Sequence, residues 1–105
     1  MPSGHILKVY MKEDDKYHHT PLYEAMLQAL KNHHVIWVDV QRAVEGFGQE
    51  HVIHKAHLFS FSEHPPVVLE AILEANTVES TLAATRPLLQ AASGPAILLS
   101  GTVLK

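Results

Sequence analysis

Residues 67–74 read VVLEAILE, apolar everywhere except Glu70 and Glu74. So short and continuous a run fits the interior of a sheet, with a strand along each edge and both glutamates on one face. The rest of the chain must supply the partner strands. Ile6–Lys12 alternates Leu7, Val9 and Met11 with Lys8, Tyr10 and Lys12, the pattern of a half-buried strand. In Val35–Val44, Ile36, Val38, Val40 and Val44 fall on one face, and Trp37, Asp39 and Gln41 on the other. Ala96–Leu104, AILLSGTVL, reads as the last strand, and LFSFS at 58–62 as a brief one.

Two segments change to helical spacing. Thr20-Pro21 suits a helix start, with Thr20 as N-cap and Pro21 in the first turn, where its missing N–H costs nothing. Leu22, Met26, Ala29, Leu30 and His33 then share one face. Glu24 complements the positive end of the dipole, and His33 and His34 the negative end. Asn76 and Glu79 have capping-box spacing before a second helix through Val78, Leu82 and Thr85. Pro87 should kink that helix or end its regular hydrogen bonding, and Ser93-Gly94-Pro95 should stop it.

The order is β-α-β-β-α-β, the ferredoxin-like arrangement of the α+β class: a four-stranded antiparallel sheet with two helices on one face. A chain of 105 residues predicts a single domain, 1–105. The uncovered sheet face, with Trp37 and Tyr10, would be a large apolar patch, so an oligomer is expected.

Charge and composition narrow the partners. The formal charge is −3, and the 8 Lys+Arg form no block, which argues against nucleic acid. There are no cysteines, so disulfides, thiolate metal sites and Cys nucleophiles are excluded. No run approaches the ~18 apolar residues of a membrane span, and no secretory apolar region opens the chain. The expectation is a cytoplasmic protein with no membrane insertion.

The densest chemistry lies in GFGQEHVIHKAH, residues 46–57. Nine histidines in the chain, three of them here at 51, 54 and 57, raise a divalent-metal site as an alternative. Metal ligands must converge at about 2.0–2.1 Å. On a strand, His51 and His57 would lie about 20 Å apart, and His54 would face the other way. On a helix, His57 drifts from the other two. Only a curled loop or a subunit axis could gather all three. His18-His19 and His33-His34 are adjacent pairs whose side chains diverge, and both read as surface. Glu13, Asp14, Asp15 and Glu24 read as solvated carboxylates. Glu63-His64 with Ser60 and Ser62 has the residue types of a hydrolase but no nucleophile elbow, so the chain is read as a binding module and not as an enzyme. In Gly46-Phe47-Gly48, glycine suits a strand end and positive φ, while Phe47 would anchor the loop base.

TPLYEAMLQAL, VEGFG, IHKAHLFSFSEHPPVVLEAI and the Pro-interrupted second helix together resemble the bacterial family known as domain of unknown function 190, across about Leu7 to Val103. That family resembles the PII signal-transduction proteins. The resemblance implies a homotrimer with its sheets packed inward and a mobile loop after the second strand. It implies a small-molecule ligand, an adenine nucleotide in the first instance, held between subunits, and a protein target met through the Gly46–His57 loop. The ligand-binding residues it implies are Gly46, Phe47, Gly48, Gln49 and His54. Where PII proteins place a basic phosphate clamp, this chain has SGPAILLSGTVLK, whose one cation is Lys105.

Overall fold

A computed structural model describes residues 2–55 and 64–105. Four long strands, β1 (Ser3–Lys12), β4 (Val35–Arg42), β7 (Pro66–Glu74) and β8 (Ala96–Thr102), form one antiparallel sheet in the order β4-β7-β1-β8. With α1 (Leu22–Lys31) and α2 (Val78–Ala91) on one face, this is the ferredoxin-like arrangement. The apolar run takes the interior position: β7 pairs with β1 along one edge and with β4 along the other.

Alternation decides the two faces. Leu7, Val9 and Met11 of β1 and Val67, Leu69, Ala71 and Leu73 of β7 are buried under the helices. Leu22, Met26 and Leu30 of α1 and Val78 and Leu88 of α2 meet them there. The opposite face carries Trp37, Ile72, Ile6 and Leu99 in one cross-sheet row, and Asp39, Glu70, Lys8 and Ile97 in the next. Asp39 accepts hydrogen bonds from Trp37 Nε1 at 2.9 Å and Gln41 Nε2 at 3.2 Å. Trp37 is 63% exposed, and every residue of β8 is exposed. The apolar area expected on the uncovered face is therefore present.

Several local expectations need correction. A register shift between Val35 and Trp37 bulges β4, so Val35, Val38 and Val40 pack on the core while Ile36 is 42% exposed. Val44 lies beyond β4 and is 79% exposed. Thr20 does not cap α1. It pairs with Tyr17 in a hairpin of β2 (Lys16–Tyr17) and β3 (Thr20–Pro21), and the Leu22 N–H donates instead to the Asp15 carbonyl at 2.7 Å. His33 and His34 follow the end of α1 at Lys31. The Asn76–Glu79 capping box does not form. Ala75–Thr77 is a 3₁₀ turn, with Thr77 Oγ1 donating to the Glu74 carbonyl at 3.0 Å. Pro87 lies inside α2, which continues to Ala91. Its ring nitrogen has no proton to donate to Ala83, so the helix loses one bond and is not ended. The expected strand at 58–62 lies outside the described residues. No helix among the described residues is long and apolar enough to cross a membrane.

His18 and His19 are the two central residues of the β2–β3 hairpin, and both have positive φ, 49° and 70°. A two-residue loop with both φ positive has type I′ geometry, which favours Asn-Gly. Replacing His18→Asn together with His19→Gly should raise the unfolding free energy by about 1 kcal/mol. The check is a higher urea midpoint at unchanged m-value.

Candidate functional site: a two-lobed cleft under the Gly-Phe-Gly segment

At one end of the sheet, the end of β1, the end of β4, the start of β7 and the start of β8 come together, because the strands alternate in direction. The ladders run past the strands themselves. Ala43 N–H donates to the Pro66 carbonyl at 2.8 Å, and Tyr10 N–H to the Pro95 carbonyl at 2.9 Å. The segment after β4 folds back over this end. β5 (Glu45–Gly46) pairs with β6 (His54–Lys55), and a turn closes between them through His51 N–H and the Gly48 carbonyl at 3.0 Å.

Two hollows flank the segment. One, of about 370 Å³, lies between Tyr10–Lys12, Phe47–Glu50 and Ser93–Pro95. The other, of about 420 Å³, lies between Gln41–Ala43, Glu45–Phe47 and Pro66–Val68. Tyr10, Phe47 and Pro66 line both. Each volume is in the range that holds a small organic molecule.

The structure gathers four of the expected site residues here. Gly46 and Phe47 line the second hollow, and Phe47, Gly48 and Gln49 the first. Gly46 is also the register partner of His54, which brings the backbone of His54 to the loop base. The conformational reason for the glycines differs from the expectation, since no glycine has positive φ. A side chain at 46 would instead press on Pro66, at 3.1 Å from its Cγ, whereas nothing lies within 4 Å at 48. His51 holds the left-handed conformation, φ 55°, in the turn. Phe47 is 58% exposed, its ring 5.3 Å from that of His51, so it does not anchor the loop in a core. His57, Ser60, Ser62 and Glu63 lie outside the described residues. Among the described residues, no group of three or more His, Asp or Glu could hold a metal ion.

Other site residues were not legible as such. Asp15 looks like a solvated carboxylate in the sequence. Its Oδ2 accepts from Ser93 N–H at 2.8 Å and from Lys12 N–H at 3.2 Å, joining the turn after β1 to the turn before β8. Lys12 Nζ pairs with Glu50, and Arg42 with Glu13, so each hollow has one cation on its wall. Gly94 looks like a helix stop. It lies so close to β1 that a Cβ there would come 2.5 Å from the Tyr10 carbonyl oxygen. Strand alternation put Tyr10 and Lys12 on the open face, but no local pattern revealed what crosses over them.

The match to known proteins can be placed on this geometry. The family described as DUF190, uncharacterized ACR, matches residues 4–99. The chain belongs to the DUF190 family. A UPF0166 protein of Aquifex aeolicus (strain VF5) is 30% identical over 77 residues, 73% of each chain. Among solved structures, this DUF190 chain is similar to CPII, a nitrogen regulatory PII-like protein from Thiomonas intermedia K12, bound to ADP, AMP and bicarbonate. The TM-score is 0.69 at 19% identity, covering 98% of this chain and 90% of that one. A second CPII structure, bound to ADP and bicarbonate, gives 0.69 at 17% identity, over 98% and 90% of the two chains. A third, bound to ADP, AMP and acetate, gives 0.65 at 15% identity, over 99% and 91%. The DUF190 chain therefore has the PII-like fold that the resemblance implied.

Because the Gly94 contact is with backbone, it cannot be relieved by moving a side chain. Gly94→Ala should destabilise the protein by about 1–3 kcal/mol. Gly48→Ala, with open space around it, should change stability by no more than about 0.5 kcal/mol. Urea denaturation of the two variants side by side checks the contrast.

Proposed function

We propose that this DUF190 protein is a PII-like binding and signalling module that takes an adenine nucleotide in the cleft beneath Phe47–Glu50. The observation that carries this is the pair of hollows meeting at Tyr10, Phe47 and Pro66, directly under the Gly-Phe-Gly segment, in a fold shared with nucleotide-bound CPII. The exposed Phe47 ring and the Tyr10 ring offer flat apolar faces to a base. Gly46, Gly48 and Gln49 would let the ligand approach backbone and one polar side chain, and His54 completes the set of ligand-binding residues that the family resemblance implies. The working unit is a cytoplasmic homotrimer. The exposed Trp37, Leu99 and Ile97 on the uncovered sheet face, and the exposed edge strand β8, supply apolar surface for its assembly. A ligand in the cleft would alter the order of the Gly46–His57 loop and so change the surface that a protein target meets.

Calorimetric titration with ADP should show saturable binding, weakened about tenfold or more by Phe47→Ala through loss of base stacking. A titration without heat, at protein concentrations that would detect micromolar affinity, would remove the nucleotide reading. Sedimentation equilibrium should give three times the 11.7 kDa chain mass, and Trp37→Glu should shift the distribution toward monomer. A monomeric wild type would overturn the assembly.

A further inference from the structure

We propose that Lys12 is the anion-recognising group of the cleft, and that the Glu50 carboxylate holds its place until a phosphate-bearing ligand displaces it. This rests on the reading of the cleft as the ligand site, and adds to it the charge that selects the ligand and the contact that ligand entry breaks. Lys12 ends β1, and its backbone is held twice, by its register pairing with Pro66 and by donation to Asp15 Oδ2 at 3.2 Å. The base of the side chain is therefore fixed while the ammonium reaches the first hollow. That ammonium pairs with Glu50, a residue 38 positions later in the turn closed by His51 and Gly48. The two side chains are 27% and 48% exposed, so the pair is partly in water and weak. A phosphate group carries more charge and more acceptor oxygens than a carboxylate, and should take the lysine in its place. Of the nearby acids, Asp15 accepts from two backbone N–H groups and Glu13 pairs with Arg42.

The cation thus comes from β1, although the turn before β8 forms the neighbouring wall of the hollow. Once Lys12 turns to the ligand, the Phe47–Glu50 turn loses one tie to the sheet. Gly48 has nothing within 4 Å of its open side, and Phe47, Val52 and Ile53 are more than half exposed, so little packing replaces that tie. Ligand entry and loss of the Lys12–Glu50 tie are then one event.

The test uses inorganic pyrophosphate and ADP as probes on wild type, Lys12→Gln and Glu50→Gln. Without any probe, both variants should speed amide hydrogen exchange at residues 48–51 several-fold, and unchanged exchange in both would overturn the tie. Glu50→Gln should bind pyrophosphate about two- to fivefold more tightly, as expected from removing a weak competing pair. Lys12→Gln should bind it about tenfold or more weakly. ADP binding equal in all three proteins would sink this proposal and leave the nucleotide reading standing. Pyrophosphate binding that follows the expected order, with no ADP binding, would do the reverse. Binding of neither probe to any of the three would overturn both.

Discussion

The pairing of β1 with β7, from Gly4↔Glu74 to Lys12↔Pro66, is the constraint on which the rest of the molecule depends. It is the central ladder of the sheet, and each of its strands carries a further partner on its outer edge. A slip of one residue would turn Leu7, Val9 and Met11 away from the helices and bring Lys8 and Tyr10 under them. The same register sets Lys12 opposite Pro66 and so decides which side chains stand at the mouth of the cleft. Core and site are two ends of one set of backbone hydrogen bonds.

The cleft is built by chain segments that cross this ladder at its end. Asp15 and Gly94 act there in complementary ways. The Asp15 carboxylate joins two turns by taking a backbone N–H from each, and the absence of a Gly94 side chain lets the second turn lie against Tyr10. Phe47 and Glu50 then reach over from the segment after β4. A floor of sheet and turns thus lies beneath a segment in which Phe47, Val52 and Ile53 are more than half exposed.

Strong periodicity made the framework legible. Alternation in residues 6–12 and helical spacing in residues 22–30 report burial directly, since one wrong residue on a core face is costly. Reading failed where a local motif competed with longer-range partners. Thr20 is a good cap by type, but its backbone was claimed by Tyr17, and the helix end by the Asp15 carbonyl. The bulge at Ile36 broke an alternation that otherwise held. At the cleft, the Gly-Phe-Gly segment lines both hollows; closeness to Pro66 explains Gly46, nothing within 4 Å requires a glycine at 48, and neither has a left-handed backbone. Lys12, Glu50 and Arg42 were unremarkable as isolated charges.

The amino-acid sequence by itself determined the order of the long strands and the two helices and the apolar face of β1, β7 and α1, because these follow from side-chain periods within each element. Only the tertiary structure decided which residues meet across the cleft. Lys12 and Glu50 are 38 residues apart, and Asp15 and Ser93 are 78 apart. Ion pairs and hydrogen bonds at such separations leave no period in the chain. They exist because antiparallel pairing returns distant segments to the same end of one sheet.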